Sequence, residues 1–529
     1  MTSVARYYLR LIFDFWIRSR LRRAMSVILP SLVPIVQPVF QNERKRVRDV
    51  AERMYDKSME TFANEVQAAF EAPVKHERLW NMSGKLQEEY KDKLRSSTIS
   101  MLPSYQHTLP TGSEQGDVLA LDVGGSTFRA GLIKLRGKAK DGDGLQVRRV
   151  RNFAIDERTR QLPGRQFFDW MASRIGEMLV EYNHMNGTTN ARLQMGLAWS
   201  FPIEQTSPST GRLLKMGKGF RAGHGVEGAD LSELIMTACH SRGLNVEICA
   251  IVNDGAATLL SQAYRDPATR MSLILGTGMN AAVFLPVSAL GRDKYGKRSD
   301  NWYAVAERVV VNTELSMFGK QVLPTTKWDD DLNSNHRLPD FQPLEYLITG
   351  RYLGEILRLV MLEAISTIGL FNGQIPERLD EPYAFETRTL ATFESDRTSN
   401  LIDASAAFRS AHPMRSPPKL HELEFIRDIG RLASRRAAAY LATSLHALWA
   451  VRTSSEGIEP GEATHVTVAC DGSMIEKYPD FRQWTQRFLN RLCSLSGASE
   501  GAVTLELAPE SSIFGAAVAA SCMAEGGGA

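Results

Sequence analysis

Five times between residues 119 and 473, an apolar run stops at a short cluster of Gly, Ser, Thr, Asn or Asp. Leu119-Ala-Leu runs into Asp122-Val-Gly124-Gly125-Ser126-Thr127-Phe-Arg129, and a second apolar run follows to Ile133. This pattern predicts two strands joined by a tight turn. Met271 to Leu275, the turn Gly276-Thr277-Gly278 and the run from Met279 to Phe284 repeat the same logic. Met195 to Trp199 predicts a strand that delivers Ser200-Phe201-Pro202 into a loop. Cys249 to Val252 predicts a strand ending at Asn253-Asp254, where a helix begins. His465 to Cys470 predicts another, entering Asp471-Gly472-Ser473. Alternating strand and helix signals make the chain α/β. From Lys45 to about Leu94 the pattern is polar and helical. Residues 103–116, punctuated by Pro, Gly and Ser, are expected to be a linker. Residues 391–420, with Pro413, Pro417 and Pro418, are expected to be a surface connection. No short solenoid-type repeat is present.

The turns carry candidate chemistry. Glycines let backbone approach an anion, and successive amides supply donors. Two such hairpins could clasp a nucleotide's phosphates from both sides, with Asp122 placed to hold a metal ion. Ligands of α/β sheets gather at strand ends, and a carboxylate there can take a proton from a substrate hydroxyl. Asp254 fits that role, with capping of the following helix as the plainer alternative. Lys218, between Gly217 and Gly219, can reach a polyanion or simply be a solvated loop charge.

Composition narrows the field. Hydrophobic content of 43% and charged content of 23% suit a chain with a large core, and a net charge of +3 brings no nucleic-acid-like basic excess. No nucleic-acid partner is expected. The five cysteines form no C-x-x-C pair and read as reduced thiols. The first 40 residues differ from the rest, with six arginines against one acid, Asp14. As a helix, Val4, Tyr7, Tyr8, Leu11, Ile12, Phe15 and Trp16 would share one face. A basic, aromatic amphipathic helix predicts peripheral membrane contact, with mitochondria the expected site and the body of the protein cytosolic.

The ordered set of motifs resembles the eukaryotic, fungal-like hexokinase family over about residues 45–520. Leu121 to Arg129 is similar to its first phosphate motif. Trp199 to Pro202 and Gly217 to Phe220 are similar to its sugar segments, and Asn253 to Leu259 to its catalytic segment. Asn312-Thr313-Glu314, Leu344 to Glu355, Phe393 to Asp396 and Asp471 to Ser473 also match. The resemblance implies a two-lobed actin-like ATPase (ribonuclease H-like) fold of hexokinase type. It implies an anchor segment at 1–44, a helical part of the large lobe at 45–110 and a small lobe at 111–250. The large lobe would span 251–510, and a C-terminal helix at 511–529 would return to the small lobe. It implies phosphorylation of a hexose, most simply glucose, by ATP with Mg²⁺, at the head of glycolysis. Asp254 would be the base for the 6-hydroxyl and Lys218 would steady the phosphoryl group. Ser200, Phe201, Pro202, Asn253, Asn280, Glu314 and Glu345 would form the sugar site. Asp122, Gly124, Gly125, Ser126, Thr127, Arg129, Gly276, Thr277, Gly278, Asp471, Gly472 and Ser473 would line the nucleotide, with Asp122 acting on Mg²⁺ through water. The oligomeric state is left open.

Four positions depart from the family pattern. Gly217 replaces a threonine beside the lysine, and Thr127 replaces an asparagine. Leu315-Ser316 replaces Trp-Gly beside a sugar ligand. Ser511-Ser-Ile-Phe-Gly515 replaces a Gly-Ser-Gly-Lys-Gly turn near the adenosine. A β-branched residue resists positive φ if that turn requires it. Two readings follow: an active hexose kinase, or an atypical member that binds sugar, phosphorylates it poorly and serves as a sensor or regulator.

Overall fold

The computed structural model describes residues 57–525, apart from 139–143, 188–191, 215, 217–219, 224 and 297. The arginine-rich segment 1–40, Gly217 and Lys218 therefore lie outside the described residues. The chain divides into two compact units. The larger, residues 63–362 with 375–529, contains every site residue discussed below. The smaller takes residues 363–374 and the described residues before 63.

The first half of the chain supplies strands β1 (Leu102–Pro103), β2 (Gln115–Val123), β3 (Thr127–Arg136), β4 (Leu145–Ala154), β5 (Leu193–Trp199), β6 (Ile203–Gln205), β7 (Gly211–Leu213) and β8 (Val246–Val252). The second half supplies β9 (Thr269–Leu275), β10 (Met279–Pro286), β11 (Arg308–Asn312), β12 (Val466–Asp471) and β13 (Val503–Leu507). They form a five-stranded sheet in the order β4-β3-β2-β5-β8 and a six-stranded sheet in the order β1-β11-β10-β9-β12-β13, with β6-β7 as a small ribbon. Both predicted hairpins are present, β2 antiparallel to β3 and β9 antiparallel to β10.

Two helices lie between the sheets. The Ser511–Glu525 helix packs on the five-stranded sheet, the Asp254–Ala263 helix packs on the six-stranded one, and the two pack on each other. That helix pair is very close. A Cβ on Gly515 would stand 1.9 Å from the Ala257 carbonyl oxygen, so only glycine fits there. The outer face of the five-stranded sheet is covered by the Arg165–Asn186 and Leu231–His240 helices, with Phe128, Phe167, Phe168, Trp199 and Phe220 buried beneath them.

Three expectations need correction. Residues 391–420 are largely helical: Thr387–Ser395 and Ile402–Ala411 are helices, and Leu420 begins a 36-residue helix to Ser455. Buried Phe393 and Phe408 pack with Phe385, so apolar side chains outweigh the polar composition, and the prolines fall only between helices. Residues 103–116 are not a free linker. Ser104 N–H donates to the Val310 carbonyl, Val310 N–H donates to the Gln106 carbonyl, and Glu114 is buried. Finally, Ile513 and Phe514 belong to a helix rather than to a turn. The positive φ of that corner falls on Glu510 (56°), so Ile513 is unstrained and fully buried in the core. All five cysteines are free, as expected. Among the described residues no helix is long and apolar enough to cross a membrane.

Candidate active site

Strand register collects the sequence motifs at two sheet edges. In the five-stranded sheet Val123 stands opposite Trp199 and Ala198 opposite Val252, with β2, β5 and β8 parallel. Their carboxyl ends therefore release Gly124 to Ser126, Ser200 and Asn253-Asp254 along one edge. The Ser200 N–H donates to the Val123 carbonyl at 3.2 Å, which ties the first two together. In the six-stranded sheet Asp471 stands opposite Ile274, Asn280 opposite Ile274 on the other side, and Ala282 opposite Asn312. The Gly276 turn, Gly472-Ser473, Asn280 and Asn312 to Glu314 consequently share one edge. Ser126, Thr277 and Ser473 present exposed hydroxyls from three of these turns.

The two edges feel each other electrically. Burial pushes the Asp122 carboxyl above its ordinary range, the Arg129 guanidinium pulls it back, and the charges of Asp254 and Asp471 push it up again. Arg129 Nε and Nη2 reach Asp122 Oδ2 at 2.8 and 2.5 Å, while Nη1 reaches Glu510 at 2.8 Å. Arg129 is thus occupied by carboxylates on two elements. Ser511 Oγ donates to Asp471 Oδ2, pairs with Thr258 Oγ1 at 2.7 Å, and Thr258 Oγ1 in turn hydrogen-bonds the Asp254 carbonyl at 2.9 Å. This chain links the two helices at the head of the cluster.

Asn253, not Asp254, is the helix cap: its Oδ1 accepts from Ala256 N–H at 2.8 Å. The plainer alternative for Asp254 is therefore removed, and its Oδ1 accepts a bond from Gly255 N–H at 2.8 Å.

The second half of the site is built from amides and glutamates. Asn280 Nδ2 donates to Asn312 Oδ1, and Asn312 Nδ2 donates to Glu314 Oε1, both at 2.8 Å. Asn312 was visible only as a motif letter; nothing in the local pattern shows that it bridges the two expected sugar contacts. Glu314 sits at φ 51° and ψ 49°, a left-handed conformation that a non-glycine residue adopts at a cost of about 1–3 kcal/mol and that clusters at functional sites. Burial raises its carboxyl, its bond from Asn312 opposes this, and Asp254 raises it further. Glu345 Oε2 accepts from Met279 N–H at 3.0 Å. Burial raises Glu345 too, with a further push from Glu314. A Cβ on Gly278 would stand 2.9 Å from Glu345 Oε2, so this glycine serves the glutamate as well as its turn. Phe201 is buried against Trp199 and Phe220, at centroid distances of 5.3 and 4.9 Å. Its ring supports the loop, whereas Pro202 is exposed and Ser200 half-buried. Gly472, at φ 115°, turns the chain from β12 toward Ser473.

A cleft of carboxylates, amides and hydroxyls suits a ligand whose every group both donates and accepts. Family models described as Hexokinase match residues 63–264 and 270–522. The chain is 31% identical over 391 residues to Hexokinase of Schwanniomyces occidentalis, covering 74% of this chain and 77% of that protein. It is 32% identical over 429 residues to Hexokinase-1 of Saccharomyces cerevisiae, covering 80% and 84%. The solved structure of a hexokinase from Schistosoma mansoni complexed with glucose superposes with a TM-score of 0.71 at 26% identity, covering 88% of this chain and 100% of that one.

Proposed function

Because the chain belongs to the hexokinase family, with the two-lobed α/β fold of that family, we propose that it transfers the terminal phosphoryl group of ATP to the 6-hydroxyl of a hexose, glucose first. The observation that carries the proposal is the convergence of Asp254, Glu314 and Glu345, three carboxylates from three segments, in which the charge of Asp254 acts on Glu314 and that of Glu314 on Glu345. Asp254 takes the proton of the 6-hydroxyl as its oxygen attacks. The new O–P bond forms, the bond from phosphorus to the bridging β,γ oxygen breaks, and ADP leaves. Ser200, Asn253, Asn280, Glu314 and Glu345 hold the other hydroxyls. A site of this kind rejects an analogue lacking a hydroxyl, because its own polar groups would be left unpaired.

The turns at Gly124 to Thr127, Gly276 to Gly278 and Gly472-Ser473 receive the phosphates and nucleoside, and Lys218 meets the phosphoryl charge. Mg²⁺ fits the oxygen donors present. Asp122, Asp254 and Asp471 crowd negative charge that Arg129 offsets only in part. Among the described residues no three acidic, His or Cys side chains stand close enough to chelate one ion. That suits Mg²⁺, which keeps waters and is held through one or two carboxylates together with phosphate oxygens. When bound it would neutralise charge on those phosphates. The sensor reading loses one support, since Ile513 and Phe514 are core residues of a helix and impose no strain on a nucleotide turn.

A coupled assay with glucose and ATP–Mg, run beside Asp254→Ala, tests the proposal. A positioned general base contributes about 10²–10⁴ in rate, so the variant should fall by that factor while glucose still raises its melting temperature. Equal rates in the two proteins would remove the kinase reading and leave the sensor.

A further inference from the structure

Glu314 and Glu345 come from different segments, and each reaches the Met279–Asn280 end of β10, Glu345 directly and Glu314 through Asn312. Glu314 lies two residues past β11 and caps the short 3₁₀ turn Leu315–Met317, where Met317 N–H donates to the Glu314 carbonyl at 3.0 Å. Glu345 is the third residue of the Pro343–Ile348 helix, whose cap is Gln342. Burial raises both carboxyls, and the charge of Glu314 raises Glu345 further. One side-chain hydrogen bond joins the segments: Gln342 Nε2 donates to Ser316 Oγ at 3.2 Å. Ser316 lies two residues past Glu314 and is fully buried, and Gln342 lies three before Glu345. The cap's own carbonyl accepts from Tyr346 N–H at 3.1 Å, so pulling on Gln342 pulls on the helix start. Ser316 is also one of the positions that depart from the family pattern, and the glycine expected there has no hydroxyl to accept this bond.

We infer that Ser316 is a positioning residue of the sugar site, which acts through Gln342 to hold the turn of Glu314 and the helix of Glu345 at the spacing of a hexose's hydroxyls. The inference rests on the reading of these glutamates as sugar contacts. It deepens that reading: the departure at Ser316 is a fastening, not a loss. Misplacement of a binding group weakens orientation of the substrate, while the phosphoryl-transfer groups at Asp254 are untouched.

The test uses the full chain with glucose and ATP–Mg, plus the glucose-induced rise in melting temperature as a readout independent of turnover. Ser316→Gly should raise the glucose KM roughly three- to tenfold, the value of one neutral hydrogen bond, with kcat within about twofold. Ser316→Thr, which keeps the hydroxyl, should restore KM. Gln342→Ala should copy Ser316→Gly, and the double variant should be no worse than either single one, because coupled partners are not additive. An unchanged KM in Ser316→Gly, no rescue by Thr, or additive single effects would overturn the inference. A wild-type protein that neither binds nor phosphorylates a hexose would instead overturn the functional reading and this one with it.

Discussion

Two sets of buried carboxylates solve the same problem in opposite ways. Asp329 is matched within the fold: Arg436 Nη1 and Nη2 reach it at 2.5 and 2.7 Å, and both residues are almost wholly buried. Thr326 adds bonds from its backbone N–H and its hydroxyl at 2.7 Å, and Arg436 lies over the Phe70 ring at 4.5 Å. Glu345 is buried too and Glu314 half-buried, yet each is pushed up by a neighbour of its own sign and neither is held by an ion pair among the described residues. Isolated charge inside a protein is costly unless it is paired. A fold that keeps like charges together is spending stability on a site, and a fold that matches them one to one is building a core. The difference separates structural from functional charge without reference to any relative.

The largest way to break this comparison is Asp329→Ala. It strands the Arg436 guanidinium in the core, and breaking one side of a buried pair costs about 3–5 kcal/mol. Urea denaturation should show that loss, while the glucose KM of the folded fraction stays as in the wild type. A loss below about 1 kcal/mol would place Asp329 with surface ion pairs instead.

Glu394 is an intermediate case. Tyr478 OH and Ser434 Oγ donate to its carboxylate at 2.6 and 3.1 Å, but among the described residues no cation forms an ion pair with it, and burial pushes it up to about 7 from an ordinary 4.5. Its folded value lies above its unfolded one. The stability it contributes is therefore complete below 4.5 and is lost as pH rises through about 7. Glu394→Gln removes this part of the profile. Melting curves across that window should shift in the variant's favour by about 3 kcal/mol at the alkaline end, since each pKa unit is worth about 1.4. Parallel profiles for the two proteins would show that Glu394 does not titrate there.

The smallest and sharpest change is Gly278→Ala. The added methyl would meet Glu345 Oε2 and disturb its bond from Met279 N–H. Glucose affinity should weaken by roughly tenfold, about the value of one charge-assisted hydrogen bond, with little change in the melting temperature of the sugar-free protein. Unaltered affinity would mean that the Glu345 carboxylate has room to move, and that its placement is not set by the Gly278 turn.

Much of the site was legible because its signals are local. A tight turn needs glycine and small residues within four positions, and a strand end declares itself by the change from apolar to polar. Those signals located Asp122, Asp254, the Gly276 turn and Asp471. What escaped was relational. Asn312 bridges Asn280 and Glu314 across neighbouring strands, and the bond from Gln342 to Ser316 spans 26 positions. The segment 391–420 misled because its prolines and charges were counted, whereas Phe393 and Phe408 decided its fate by packing with Phe385. The turn expected at Ser511 to Gly515 misled in a similar way. Ile513 would have resisted a turn that required positive φ there, but the chain places the positive φ at Glu510 and lets the helix start one residue later.

The sequence by itself determined the alternation of strands and helices, both phosphate-type hairpins and the identity of the carboxylates, since each depends on residues within a few positions of one another. The tertiary structure alone decided which carboxylates are crowded and which are matched, where Glu314 and Glu345 stand relative to each other, and that Ser316 fastens them. Those outcomes depend on burial and on distances between segments far apart in the chain, and the energy of a charge in a protein is set by its surroundings.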